Sequence, residues 1–307
     1  MAKSYFSPLP EFDINKISDS EKNKIKLGKR LFYDTRLSGS GSVNCALCHN
    51  FASYGTVNAP VMPGDKGNLG LRNPPSLLNS HLQYAFGWDA KYKTLENQIG
   101  GMLLSKTEMG NTDSISLIKK LIPDKNYAQM FDNAFPENKN YISFYNLKIA
   151  IAHFLRSLIT RSRFDNYLEG DLNALNYSEK LGIKSFIDNG CVPCHSSAVV
   201  GGTMPQKFAL FGYYWDFTGS KNIDRGRYLL TKKSQDEFVF KVTQLRNIEK
   251  TQPYFHDGSI QSLEEAIRIM GMSESNLSLD DKDVKNITAF LISLTGKVPD
   301  NAFDKKK

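Results

Sequence analysis

Cys45-Ala46-Leu47-Cys48-His49 returns in form as Cys191-Val192-Pro193-Cys194-His195, 146 positions further along. The two pentapeptides hold all four cysteines of the 307-residue chain, and a histidine follows each pair directly. A zinc site, a redox dithiol, a disulfide and covalent c-type haem are the chemistries open to such pairs. In Cys-x-x-Cys-His the two thiols can form thioethers to the vinyl groups of one porphyrin, while the adjacent histidine turns under the ring to bind iron. Zinc held by Cys45, Cys48, Cys191 and Cys194 would leave His49 and His195 without a role. One such pentapeptide arises by chance in on the order of one chain in a thousand of this size, and two far more rarely. The motifs therefore read as two haem c attachment sites.

The repeat divides the chain into halves, which predicts two cytochrome c-like domains, residues 1–164 and 165–307, meeting near Arg161 to Glu169. Around the motifs the sequence is mainly α: helical stretches joined by long loops containing glycine, proline and asparagine, with few runs of strand alternation. Asp19 and Ser20 are placed to cap a helix carrying Ile25, Leu31 and Phe32, and Thr94 to open one with Leu95, Gln98, Ile99 and Met102. Tyr145 to Leu158 puts Leu147, Ile151, Phe154 and Leu155 on one stripe. Ser262 and Glu265 form a capping-box pattern before Ala266, Ile267 and Met270, and Val284, Ile287, Phe290 and Leu294 make a last helix ended by Gly296.

Apolar residues at 40% and charged residues at 23% exclude a largely disordered chain, and no stretch approaches the roughly 20 apolar residues of a membrane helix. The net charge of +7 comes from scattered lysines, the one dense run being Lys305 to Lys307, so nucleic-acid binding is not expected. Met1-Ala2-Lys3-Ser4 lacks the pattern of an export signal. Attachment of c-type haem takes place outside the bacterial inner membrane, so the sequence reads as a mature periplasmic form whose signal has been removed.

Two haems need up to four axial ligands, and His49 and His195 supply the proximal pair. His81, His153, His256 and eight methionines remain. His153, among Ile149, Ile151 and Phe154, suits helix packing or propionate bonding better than ligation. Spacing alone does not choose among the methionines.

Several further stretches carry a resemblance. Leu27-Gly28-Lys29-Arg30-Leu31-Phe32, Arg72-Asn73-Pro74-Pro75-Ser76-Leu77-Leu78-Asn79, Gly87-Trp88-Asp89, Glu108-Met109-Gly110, Asp224-Arg225-Gly226-Arg227-Tyr228 and Leu245-Arg246-Asn247-Ile248, running on to Tyr254-Phe255-His256-Asp257-Gly258, accompany the two haem motifs. In these the chain resembles the bacterial di-haem cytochrome c peroxidases, a family that includes the MauG-type enzymes, which oxidise residues of a partner protein. The resemblance implies a low-potential, peroxidatic N-terminal haem and a high-potential C-terminal haem with Met270 as its distal ligand. It implies Trp88 on the electron path between the haems, and Glu108 as the distal acid with Gln98 as a hydrogen-bonding neighbour. Such a carboxylate can take a proton from one peroxide oxygen and return it to the other, so that the O–O bond breaks heterolytically. It also implies hydrogen bonds to propionates from His256 and Arg246, and an inter-domain calcium at Asn73, Thr251 and Pro253, whose oxygens suit a hard cation.

The sequence departs from the family pattern twice. The loop from Met62 to Leu71 contains no histidine where many members carry one that caps the peroxidatic iron, so that iron is expected to be open rather than closed by Met62 or Lys66 as a substitute ligand. Met102 stands where a proline is common beside the distal site. The expected function is reduction of hydrogen peroxide with electrons from a small periplasmic cytochrome c or cupredoxin. The alternatives are a MauG-like oxidase of aromatic residues in a partner protein, with holes passing through Trp88 and Tyr213, Tyr214 and Trp215, and a non-catalytic di-haem electron carrier. MauG-type enzymes use a tyrosine where Met270 stands, which favours the peroxidase; the missing loop histidine favours the oxidase. A homodimer is left open.

Overall fold

Ser18, rather than Asp19 or Ser20, caps the first helix, α1 (Asp19–Phe32). Its extended backbone lets the hydroxyl accept the Glu21 N–H, while the Glu21 carboxylate accepts the Ser18 N–H at 2.9 Å. The computed structural model describes residues 2–138 and 141–304, so the Lys305–Lys307 run lies outside the described residues. After α1 come α2 (Cys45–Cys48), α3 (Leu95–Leu103), α4 (Ser114–Lys119), α5 (Lys125–Ala134), α6 (Phe144–Arg156), α7 (Arg163–Glu169), α8 (Tyr177–Asp188), α9 (Tyr214–Thr218), α10 (Tyr228–Thr231), α11 (Leu263–Ser275) and α12 (Asp281–Ser293). One antiparallel ribbon, β1 (Pro205–Lys207) with β2 (Val239–Lys241), pairs Gln206 with Phe240. The chain is mainly helical, as its periodicity predicts, and no helix among the described residues is long and apolar enough to cross a membrane.

The same construction appears twice. α1 crosses α6 where Gly28 lies directly on the Ala150 backbone, and a Cβ at position 28 would stand 1.9 Å from the Ala150 oxygen. α8 crosses α12 at Gly182, where a Cβ would stand 2.0 Å from the Asn286 oxygen. Only a missing side chain permits backbones to approach this closely. Each crossing closes a separate apolar core, one containing Leu31, Phe32, Phe51, Leu147 and Phe154, the other Phe164, Phe186, Ile287 and Phe290.

The chain ends are exchanged between these cores, which the sequence repeat does not foretell. Phe6 meets Phe164 edge-on at 5.5 Å and Phe290 at 5.9 Å, and so belongs to the second core. Val298 and Ala302 belong to the first, where the Tyr33 hydroxyl donates to the Ala302 oxygen at 2.8 Å. Two expected caps also differ. Ser262 accepts from the Glu265 N–H, but the reciprocal bond is absent among the described residues. Gly296 does not end α12, which stops at a right-handed Leu294. It lies against Thr160 instead, where a Cβ would be 2.3 Å from the backbone oxygen, and its N–H donates to Asn247 Oδ1 at 3.0 Å.

Candidate haem sites

In the first half, α2 carries Cys45 and Cys48, and His49 follows as its C-cap. His49 is buried, and its Nδ1 bonds the Gly55 carbonyl at 3.2 Å. Burial pushes the imidazole pKa down to about 4, so the ring is neutral. A proton held on Nδ1 by that carbonyl leaves Nε2 as a lone-pair donor. Burial, then the neighbouring Cys48, pushes the Cys45 thiol up to about 12, and burial with Cys194 does the same to Cys191. All four cysteines are free, and among the described residues no three of His, Cys, Asp and Glu stand together as metal ligands. Cys45 packs against one core and Cys191 against the other, so their placement does not suit a shared zinc site.

Glu108 sits in the turn after α3. The residue is exposed overall, yet protein crowding its carboxyl raises the pKa above the ordinary range, against the lowering effects of a Ser105 hydrogen bond and Lys91. The thiol of Cys48 is raised by burial and then by the Glu108 charge. The loop of residues 62–71 is fastened to this turn. The Asp65 N–H donates to the Glu108 carbonyl at 2.6 Å, and a Cβ on Gly64 would stand 2.2 Å from the Thr107 oxygen. Lys66 is an exposed residue of that loop, and Gln98 and Met102 are half-buried within α3.

In the second half the residues named from sequence meet on one cavity of about 440 Å³, lined by Cys191, Cys194, His195 and Met270. Burial pushes the His195 pKa down to about 4. Gly201, at φ +125°, lets the chain close over the ring: a Cβ there would be 3.0 Å from His195 Nδ1 and 2.2 Å from the Thr243 oxygen. His256 reaches the same cavity at 1% exposure, stacked on Phe240 at 4.3 Å, with both ring nitrogens unpartnered. Thiols, a neutral imidazole, a thioether and orphaned buried nitrogens around apolar walls fit a covalently held haem.

Trp88 enters this cavity from the first half, its Nε1–H donating to the Asn73 carbonyl at 2.8 Å, while the Asn73 N–H donates to the His256 carbonyl at 2.7 Å. Thr251 and Pro253 line the same cavity as Asn73. The Asn73 amide nitrogen is already used on the Ala59 and Pro60 carbonyls, so its Oδ1 is the side-chain atom available to a cation. His153 spends Nδ1 on the Ile149 carbonyl at 2.9 Å, one turn back in α6, which is a packing role.

Arg246, expected at a propionate, lines the same cavity but is engaged chiefly elsewhere. Arg246 and Asp165 are fully buried and paired twice at 2.8 Å, and further N–H groups of the guanidinium reach Ala198 O and Ser162 Oγ. Four of its five N–H groups are thereby consumed, three on the start of α7 and one on the Ala198 carbonyl. The sequence also concealed a clamp. Arg72 pairs with Asp89 at 2.7 Å and with Asp224 at 2.7 Å, and Arg227 donates to the Asp89 carbonyl at 3.0 Å. Two other stretches that carry the resemblance thus converge on the loop bearing Trp88. Their basic and acidic residues were the only signal, and their pairing spans up to 152 positions.

The chain is similar to known proteins over most of its length. The family model for di-haem cytochrome c peroxidase matches residues 22–173. The cytochrome c551 peroxidase of Nitrosomonas europaea is 39% identical, over 94% of this chain and 84% of its own length. That of Pseudomonas aeruginosa is 38% identical over 97% and 86%. A crystal structure of a MauG-like protein associated with microbial copper homeostasis superposes with a TM-score of 0.84 at 27% identity, covering 97% of both chains.

Proposed function

We propose, for a chain that belongs to the di-haem cytochrome c peroxidase family, a periplasmic enzyme that reduces hydrogen peroxide to water with single electrons from a small cytochrome c or cupredoxin. The observation that carries this reading is the meeting of Cys191, Cys194, His195 and Met270 on one cavity into which Trp88 projects from the other half. Residues 1–164 and 165–307 would each hold one haem c, through Cys45, Cys48 and His49 and through Cys191, Cys194 and His195. Bound haem supplies iron centres that bind peroxide and store electrons. Met270 would complete the second iron's ligation and favour its ferrous state. Trp88, fixed by Asn73 and the Arg72 clamp, would lie on the electron path. Glu108 would move the proton that splits the O–O bond, with Gln98 as its polar neighbour, and its raised pKa suits a group that must both accept and return that proton. His256 would bond a propionate, and Asn73, Thr251 and Pro253 would offer oxygens to a calcium ion between the halves.

A second reading, MauG-like oxidation of aromatic residues in a partner protein, is favoured by one observation: the loop of residues 62–71 offers no histidine to close the first iron. Steady-state peroxide turnover with a reduced small cytochrome separates the two. Rapid turnover is expected of the peroxidase, whereas no turnover with that donor, together with peroxide-dependent modification of a partner protein, would establish the oxidase.

A further inference from the structure

The cavity of the second half contains a cation that neither the sequence motifs nor the proposed chemistry uses. Lys241, in β2, is 7% exposed and lines the cavity beside Trp88, whose carbonyl accepts the Lys241 backbone N–H at 2.6 Å. Its ammonium donates to Gln83 Oε1, and it forms no ion pair with a carboxylate among the described residues. One neutral amide oxygen satisfies one of three N–H donors, and a buried ammonium without a counter-ion is costly. Burial alone lowers its pKa, to about 8, with no acidic neighbour to oppose the shift. Glu274, a carboxylate on the same cavity, is not that neighbour: it accepts the Ala209 N–H at 2.7 Å, and its charge acts on Cys194.

The lysine is also deliberately placed. Gln83 comes from the first half and Lys241 from the second. Gly202, at φ +70°, admits the Gln83 side chain where a Cβ would stand 2.7 Å from Cγ. The Gly202 N–H donates to the Val242 carbonyl at 3.1 Å, and the Gly202 carbonyl accepts the Tyr84 N–H at 2.9 Å, so one short network fixes both partners. His256, with two unpartnered nitrogens, stands on the same cavity. Here, then, are a buried positive charge and an orphaned imidazole around a space that the proposed function fills with a group bearing carboxylates.

We propose that Lys241, held by Gln83 across the joint between the halves, is the counter-ion of a propionate of the C-terminal haem. The inference rests on haem attachment at Cys191 and Cys194. Lys241 is a positioning and charge-compensating residue, and its positive charge favours the reduced iron.

Redox titration of the haem-loaded Lys241→Met and Lys241→Arg variants tests this. Lys241→Met is expected to make the second haem roughly tenfold harder to reduce, a fall of about 59 mV for one electron. Lys241→Arg should restore most of that loss, because a purely steric role would be disturbed by either change. An unchanged potential in Lys241→Met, or an arginine variant no better than methionine, overturns the proposal. Should the variants fail to mature, a crystal structure of the wild-type holoprotein decides: Lys241 Nζ is expected within hydrogen-bond distance of a propionate oxygen, and an Nζ directed elsewhere refutes the assignment. Mass spectrometry of the same wild-type sample keeps the two failures apart. A chain without two covalent haems would overturn the proposed function, whereas two haems with Lys241 away from the propionates would overturn this inference alone.

Discussion

The two halves share a scaffold and differ in what surrounds it. Gly28 on Ala150 and Gly182 on Asn286 make the same helix crossing, and each half presents one Cys-x-x-Cys-His. Around the first motif stand an acid, Glu108, and a loop bound to its turn through Asp65. Around the second stand Met270 and the apolar wall of a cavity. On the proposed function, attachment of the cofactor is thus written locally and twice, while the task of each haem would be set by residues that the fold brings from elsewhere.

The largest expected effect strikes the buried ion pair inside the second half. Arg246→Met would leave Asp165 buried without its cation and is expected to lower the unfolding free energy of the haem-loaded protein by about 3–5 kcal/mol. Denaturant titration measures this; a loss below about 1 kcal/mol would show that the pair does not hold the second half together.

A smaller effect should fall on the first half alone. Glu108→Gln should keep both haems and their potentials yet slow peroxide cleavage roughly 100-fold, about 2.7 kcal/mol in barrier. Stopped-flow mixing with peroxide reads that step directly, and a wild-type rate would remove Glu108 from proton transfer. The pH profile carries a sign as well. The base form must accept the proton, so the rate should fall on acidification, through a pKa above the ordinary glutamate value of about 4.3. That acid limb should vanish in the glutamine variant.

Met270→His addresses the second half alone. Thioether ligation favours ferrous iron more than a second imidazole does, so the midpoint should fall by on the order of a hundred millivolts. A midpoint that stays put would make Met270 a core residue of α11.

These contrasts were unevenly legible in the sequence. The pentapeptides, the Thr94 cap and the amphipathic stripe of α6 depend on neighbours within a few positions, and periodicity reveals such features directly. Met270 could not be chosen by spacing among eight methionines, because its distance from His195 depends on how α11 folds back over the cavity. The pairing of Arg246 with Asp165 leaves no trace in the sequence, because the two lie 81 positions apart. Phe6 gave no sign that it would join Phe164 and Phe290, since an aromatic residue near a terminus carries no record of which core it enters. Lys241 was hidden for the same reason: a lone lysine beside Val239 and Phe240 reads as a solvated face until Gln83 and Trp88 are placed against it.

The contrast between the halves is tested most directly by the electronic spectrum of the fully oxidised wild-type protein. A first half without a loop histidine and a second half closed by Met270 predict two signals together: a high-spin component from the N-terminal haem and a low-spin, methionine-ligated C-terminal haem. The oxidised protein should then bind peroxide without prior reduction. A purely low-spin oxidised state that reacts only after one-electron reduction would contradict the account.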